Sequence, residues 1–147
     1  MEEPKLEDLQ YCAVFNFRKL SRALTQLYSQ VMKETGLRST QFTILGVLSH
    51  TEDITMSRLA EVLVMERTTL TRNLKPMSRE GWIELKVGED RRQRVVRLTD
   101  EGKALLLKAL PLWAKAQERI LGQWENEEDY MKVLGTVSKT IQQIQDN

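Results

Sequence analysis

A mainly helical fold with one small β-hairpin is what this sequence predicts, and three observations predict it. Apolar residues recur three and four apart over long stretches, the period of an amphipathic helix. One short stretch near residue 83 alternates apolar and polar residues instead. Seven glycines and three prolines in 147 residues leave too little turn material for an all-β sandwich.

Each element follows in chain order. Ala13, Phe17, Leu20, Leu24, Leu27 and Val31 form one continuous stripe, which predicts a single helix over 9–35. Gly36 supplies its stop. Ser39 is read as the N-cap of a second helix carrying Phe42, Leu45 and Leu48. Thr55 caps a short third helix with Met56, Leu59, Ala60 and Leu63 inward. Glu66 and Arg67 open a fourth, with Leu70, Leu74 and Met77 on one face. Pro76 removes a donor inside it, so that helix bends there or ends soon after, and Gly81 closes it.

At Trp82 the period becomes two. Ile83, Leu85 and Val87 oppose Trp82, Glu84 and Lys86, the pattern of a strand with one inward face. Gly88-Glu89-Asp90 turns the chain, and 94–98 return it. Thr99 caps a fifth helix, where Asp100 and Glu101 suit the positive end of the dipole. It runs to about Gln123 with a bend at Pro111. Asn126 caps a sixth helix striped by Tyr130, Leu134, Val137, Ile141 and Ile144. The first and last stripes are too long for a thin monomer to cover, which predicts a homodimer built from the terminal helices.

Composition narrows the class. Apolar residues make up 41% and charged residues 29%, the balance of a soluble globular domain. No apolar run is long enough to span a membrane. The acidic start MEEPKLEDLQ lacks the features of a secretory signal. A lone cysteine fits a reducing cytosol, so the expected location is cytoplasmic. One His and one Cys give no metal-ligand spacing, and no nucleophile elbow or phosphate-binding glycine loop appears. Neither an enzyme nor a cofactor is expected. His50 ends the second helix, where a cation is favourable.

The order short helix, tight turn, helix, hairpin is that of a helix-turn-helix with a wing. The fourth helix presents Arg67, Thr68, Thr69, Thr71, Arg72 and Lys75 away from its apolar face. Three threonines are poor helix formers, a cost that contact with a partner explains. Arg72 suits a bidentate pair with guanine, while Lys75 and Arg79 suit phosphates. Residues 55–100 carry 10 Lys+Arg against 7 Asp+Glu, while the whole chain carries 22 against 21. Within seven residues the wing holds Arg91, Arg92, Arg94 and Arg97. That concentration points to double-stranded DNA as partner. A protein-interaction module is the rival reading, but it calls for exposed apolar anchors on the fourth helix.

The stretches LAEVLVMERTTLTRNLKPMSREGWIE and EDRRQRVVRLTDEGKALL resemble the multiple-antibiotic-resistance regulator (MarR) family of winged-helix transcription factors. YCAVFNFRKLSRALTQLYSQVMKETGLRSTQFTILGVL is similar to that family's first two helices. The resemblance rests on the run Arg67 to Arg72 and on Asp90-x-Arg92 followed by Leu98-Thr99 and Gly102. It implies one domain over 1–147, with a winged helix-turn-helix at 37–99 and dimerisation helices at 1–36 and 100–147. It further implies a homodimeric repressor released from a near-palindromic operator by a small effector.

On that reading the fourth helix enters the major groove and the wing, with Asp90, Arg91, Arg92 and Arg94, meets the adjacent minor groove, which Arg92 enters, oriented by Asp90 through a charged pair. Ser39 and Gln41 are candidate phosphate contacts. Phe17, Phe42 and Trp113 are candidate walls of an effector pocket, with Arg18 and Arg22 to pair a carboxylate. Cys12 has two readings, a thiolate sensor with Tyr11 and Tyr28 available to it, or a small buried apolar residue. The second helix opens Ser39-Thr40-Gln41 with no tyrosine, a departure from the family's hydroperoxide sensors.

Overall fold

The computed structural model describes residues 3–146. A 3-10 turn at Leu6–Tyr11 precedes α1 (Ala13–Val31), and a second 3-10 turn at Lys33–Thr35 follows it. The single helix expected over 9–35 is therefore broken. Cys12 is extended, with φ −60° and ψ 120°. The Asn16 side-chain amide donates to the carbonyls of Gln10 at 2.8 Å and Cys12 at 3.0 Å. The Gln10 carbonyl thus accepts a side chain where an uninterrupted helix would bring a backbone N–H, while the Cys12 carbonyl also keeps the Asn16 N–H at 3.0 Å.

Gly36, at φ 74°, turns the chain into α2 (Ser39–Leu48). Arg38, not Ser39, holds the cap position, and its N–H donates to Gln41 Oε1 at 3.0 Å. Then come β1 (Ile54–Thr55), α3 (Met56–Val62) and α4 (Arg67–Arg79). Thr55 caps α3 as expected, accepting the Arg58 N–H at 3.2 Å. Pro76 lies inside α4, which ends three residues later.

The hairpin is β2 (Ile83–Val87) and β3 (Arg94–Leu98), antiparallel, with Ile83 opposite Leu98 and Val87 opposite Arg94. β1 adds a third strand on the other side of β3, pairing Ile54 with Val96. The sequence predicts only the hairpin. Two residues carry no legible period, and Thr55 also spoke for the helix cap.

α5 (Asp100–Leu121) and α6 (Glu127–Gln145) complete the chain. Thr99 and Asn126 cap them, accepting the N–H groups of Gly102 at 3.0 Å and Asp129 at 2.9 Å. α5 stops at Leu121, slightly short of the expected end.

One core joins α2, α3, α4, the sheet and the start of α5. Ile44, Leu45, Leu48, Leu59, Leu70, Leu74, Met77 and Val96 are almost fully buried. Each such side chain contributes about 1.5–3 kcal/mol. In the hairpin only Ile83 of the alternating face is buried; Leu85 and Val87 are 40% and 56% exposed. The outer half of the wing is thus more exposed than its base. α1 and α6 bury no described residue, and Phe17, Leu20, Leu134, Ile141 and Ile144 stand exposed. No helix among the described residues is long and apolar enough to cross a membrane.

Candidate nucleic-acid interface

Leu63 is the C-cap of α3, and Val64 follows in the left-handed region at φ 50°. The N–H groups of Val64 and Met65 return to the carbonyls of Glu61 at 3.0 Å and Ala60 at 2.9 Å. This Schellman closure reverses the chain within three residues, and Glu66 caps α4. Burial of Leu70, Leu74 and Met77 fixes the rotation of α4. Its opposite side is then set.

Arg67, Thr68, Thr71, Arg72, Lys75, Pro76 and Arg79 line one shallow groove of about 650 Å³. Thr69 is exposed but lies outside that groove. Thr71 is half-buried, and its hydroxyl donates to the Arg67 carbonyl at 2.9 Å. Among the described residues, no carboxylate stands within ion-pair distance of Arg67, Arg72, Lys75 or Arg79. Four cations along one helix face, none neutralised by its own chain, form an anion-seeking strip.

At the wing tip the Gly88 N–H donates to the Gln93 carbonyl at 3.0 Å, and the Gln93 N–H to the Asp90 carbonyl at 2.9 Å. Asp90 Oδ1 accepts the backbone N–H of Arg92 at 3.0 Å. The expected side-chain pair between Asp90 and Arg92 is not formed. An Asx turn satisfies the carboxylate two residues on, and the Arg92 guanidinium stays free. Arg91, Arg92 and Arg94 are exposed.

Arg97 behaves differently. It grips Asp53 through Nε–Oδ1 at 2.6 Å and Nη2–Oδ2 at 3.0 Å. That hydrogen bond holds the Asp53 carboxyl below its usual range and raises the guanidinium. Arg97 thus leaves the set of unpaired wing cations. Asp53 escaped the sequence reading because 44 residues separate the partners.

The MarR family model matches residues 35–93. The Mycobacterium tuberculosis transcriptional regulator MosR, solved in complex with DNA, is 34% identical, covers 90% of this chain and 98% of its own, and superposes with a TM-score of 0.80. The chain belongs to the MarR family.

AbsC, a MarR-family regulator from Streptomyces coelicolor, shares the fold over 99% of this chain and all of its own at 22% identity, TM-score 0.82. The regulator PecS of Dickeya dadantii is 26% identical over 146 residues, 95% of this chain and 88% of its own. In this MarR-family chain the helix-turn-helix and wing are thus parts of a DNA-binding transcriptional regulator.

A second concavity is a cleft. It measures about 540 Å³ and lies between α1, α2, the α3–α4 turn and α5. Phe17, Phe42 and Trp113 line it together, as the sequence suggested. Arg18 and Arg22 do not: the lining residues of α1 are 17, 20, 21, 24, 25 and 28, and a helix turns about 100° per residue. Leu63 and Met65, missed in the sequence, bring the helix-turn-helix turn into the wall. The polar lining is hydroxyl: Ser21, Thr25, Tyr28, Ser39, Thr40 and Thr43, with no charged side chain.

Two further expectations change. Ser39 faces this cleft, and Gln41 is 6% exposed with its carbonyl oxygen held by Arg38. Burial removes the Gln41 side chain from the phosphate contacts. Cys12 is half-buried at the break before α1. Tyr28 lies sixteen residues along α1, roughly 24 Å away, and its hydroxyl donates to Gln117, so within one chain it does not serve Cys12.

Proposed function

We propose that this MarR-family protein is a homodimeric repressor that places α4 in the major groove and the wing in the flanking minor groove of a near-palindromic operator. The unneutralised strip of Arg67, Arg72, Lys75 and Arg79 beside Thr68 and Thr71 carries this reading. The guanidinium groups of Arg91, Arg92 and Arg94, none paired with a carboxylate among the described residues, extend it. MosR, its 34% identical relative, is a regulator found in complex with DNA. On this reading residues 37–99 contact DNA in the cytoplasm, while 1–36 and 100–147 form the dimer through the apolar faces of α1 and α6. α4 offers no exposed large apolar anchor on its outer side, which disfavours a protein adaptor.

The effector site is the cleft walled by Phe17, Phe42 and Trp113. Its hydroxyl lining favours a small, neutral, amphipathic molecule over a carboxylate, since Arg18 and Arg22 stand outside it.

Selection of bound sequences from a random duplex pool tests the whole reading. A two-fold-related motif with A·T-rich flanks is the expected product. Arg72→Ala should cost about 1–3 kcal/mol and relax one base position per half-site. Recovery of no motif, with no salt-dependent retention on bulk DNA, would overturn it.

A further inference from the structure

We infer that Asp53 is a positioning residue for DNA binding: its bidentate pair with Arg97 ties the base of the wing to the segment before β1 and so aims the wing arginines. The inference rests on the DNA-binding reading above.

The wing needs such a tie. Ile83 and Val96 anchor its base in the core, but its outer half is uncovered, with Leu85 and Val87 exposed, so packing holds the inner side of the base and leaves the tip unsupported. β1 contributes only Ile54 and Thr55 to β3, a two-residue ladder. Asp53 immediately precedes that ladder, and its two oxygens meet two nitrogens of Arg97 in a planar fork that resists rotation. Arg97 stands opposite Glu84 on β2, and Glu84 contacts Lys86 at 3.4 Å. A row of alternating charge therefore crosses the outer face of the sheet from the Asp53 segment through β3 to β2.

Leverage makes the tie matter. Arg92 lies five residues from Arg97, roughly 17 Å of strand and turn. A swing of about 10° at the base moves the tip by about 3 Å, enough to lose a groove about 6 Å wide. Arg97 is occupied by this pair, so its contribution is geometric and not a phosphate contact.

Charge and geometry predict opposite signs, which makes the idea testable. Asp53→Asn removes a negative charge near DNA, so electrostatics alone predicts tighter binding. Positioning predicts weaker binding. Fluorescence anisotropy should show Asp53→Asn and Arg97→Gln each weakening the selected site about three- to tenfold, the double variant no worse than either, and the exchange Asp53→Arg with Arg97→Asp recovering part of the loss. The thermal midpoint should hardly move, because both side chains are solvated. Unchanged or tighter binding by Asp53→Asn would overturn the inference. So would a loss confined to Arg97→Gln with a reduced salt slope, the mark of a phosphate contact.

Wild-type protein in the same assay tests the underlying reading separately. If it binds no duplex, hydrogen exchange still decides on the tie: amides of residues 85–95 should exchange faster in Asp53→Asn. Identical exchange would overturn the tie without reference to DNA.

Discussion

Val64 and Gly81 occupy the same position, one residue past the caps of α3 and α4, and both are left-handed, at φ 50° and 76°. Each begins the same pair of return hydrogen bonds: Gly81 and Trp82 donate to Ser78 at 3.1 Å and Met77 at 3.0 Å, as Val64 and Met65 do on α3. Glycine takes that conformation freely. A β-branched residue does so only because burial of α3 and α4 on either side dictates the turn.

Val64→Gly should therefore stabilise the protein. Relief of backbone strain of about 1–3 kcal/mol outweighs the greater chain entropy of an unfolded glycine, about 0.5–1 kcal/mol. Val64 is 58% exposed, so its removal forfeits little burial. The thermal midpoint should rise by about 2–4 °C at fixed protein concentration. A lower midpoint would mean that the turn carries no strain worth relieving.

Gly102 has a different reason to be glycine. A Cβ there would stand 2.0 Å from the Trp82 carbonyl oxygen, and backbone cannot yield cheaply. Thr99 closes the same junction, donating to the Gly81 carbonyl at 2.6 Å and accepting from Gly102. Gly102→Ala should cost more than about 3 kcal/mol, and Thr99→Val about 1–2 kcal/mol. Urea denaturation of both variants measures this; a near-neutral Gly102→Ala would show the junction free to open.

What the sequence revealed divides by range. Thr55, Thr99 and Asn126 were legible because a cap involves residues three apart. The inward sides of α3 and α4 were legible from the spacing of Leu59, Leu70, Leu74 and Met77. The Asp53–Arg97 pair, the β1 strand and the Tyr28–Gln117 bond were not, because each joins residues distant in the chain. The helix break at Cys12 escaped for a local reason: the stripe begins only at Ala13, and just before it the Asn16 amide donates to the Gln10 and Cys12 carbonyls. Arg18 and Arg22 failed by one residue of helix phase.

Tyr28 gives a pH signature. Burial first, and the neighbouring Tyr130 second, raise its phenol above the usual value. The folded state therefore holds this proton more tightly than the unfolded chain, where it leaves near pH ~10. The resulting stability is full below that value and disappears as pH rises through the folded one. Tyr28→Phe should lose about 1 kcal/mol of hydrogen bonding to Gln117 at neutral pH and flatten that alkaline segment. Parallel slopes for the two proteins in urea midpoints above pH ~9 would discard this account.

The uncovered faces of α1 and α6 set the prediction for assembly. Leu134 and Ile141 are 41% and 40% exposed in the single chain. Glutamate at both should yield weakened monomers or unfolded chains, while wild-type stability should rise with concentration. Light scattering decides this; a wild-type monomer at micromolar concentration would remove the dimer from the model.

The wing tip supplies the last test. Asp90 brings a negative charge to the strand-turn that carries Arg91, Arg92 and Arg94, and simple electrostatics says that its removal helps binding. Its carboxylate instead holds the Arg92 backbone N–H, which fixes the loop and leaves the guanidinium free to enter a groove. Asp90→Asn keeps an acceptor for that N–H and should bind DNA nearly as well as wild type, while Asp90→Ala opens the turn and should bind more weakly. A side-chain pair would have made both variants equally poor, so the two together separate backbone ordering from charge orientation. Arg92→Ala should weaken binding further, lower the salt slope by roughly one unit per wing, and flatten the preference for A·T flanks, where a narrow groove concentrates negative potential. Anisotropy titrations across a salt series measure all three. If Asp90→Ala binds more tightly at low salt, the turn is dispensable and the wing acts through charge alone.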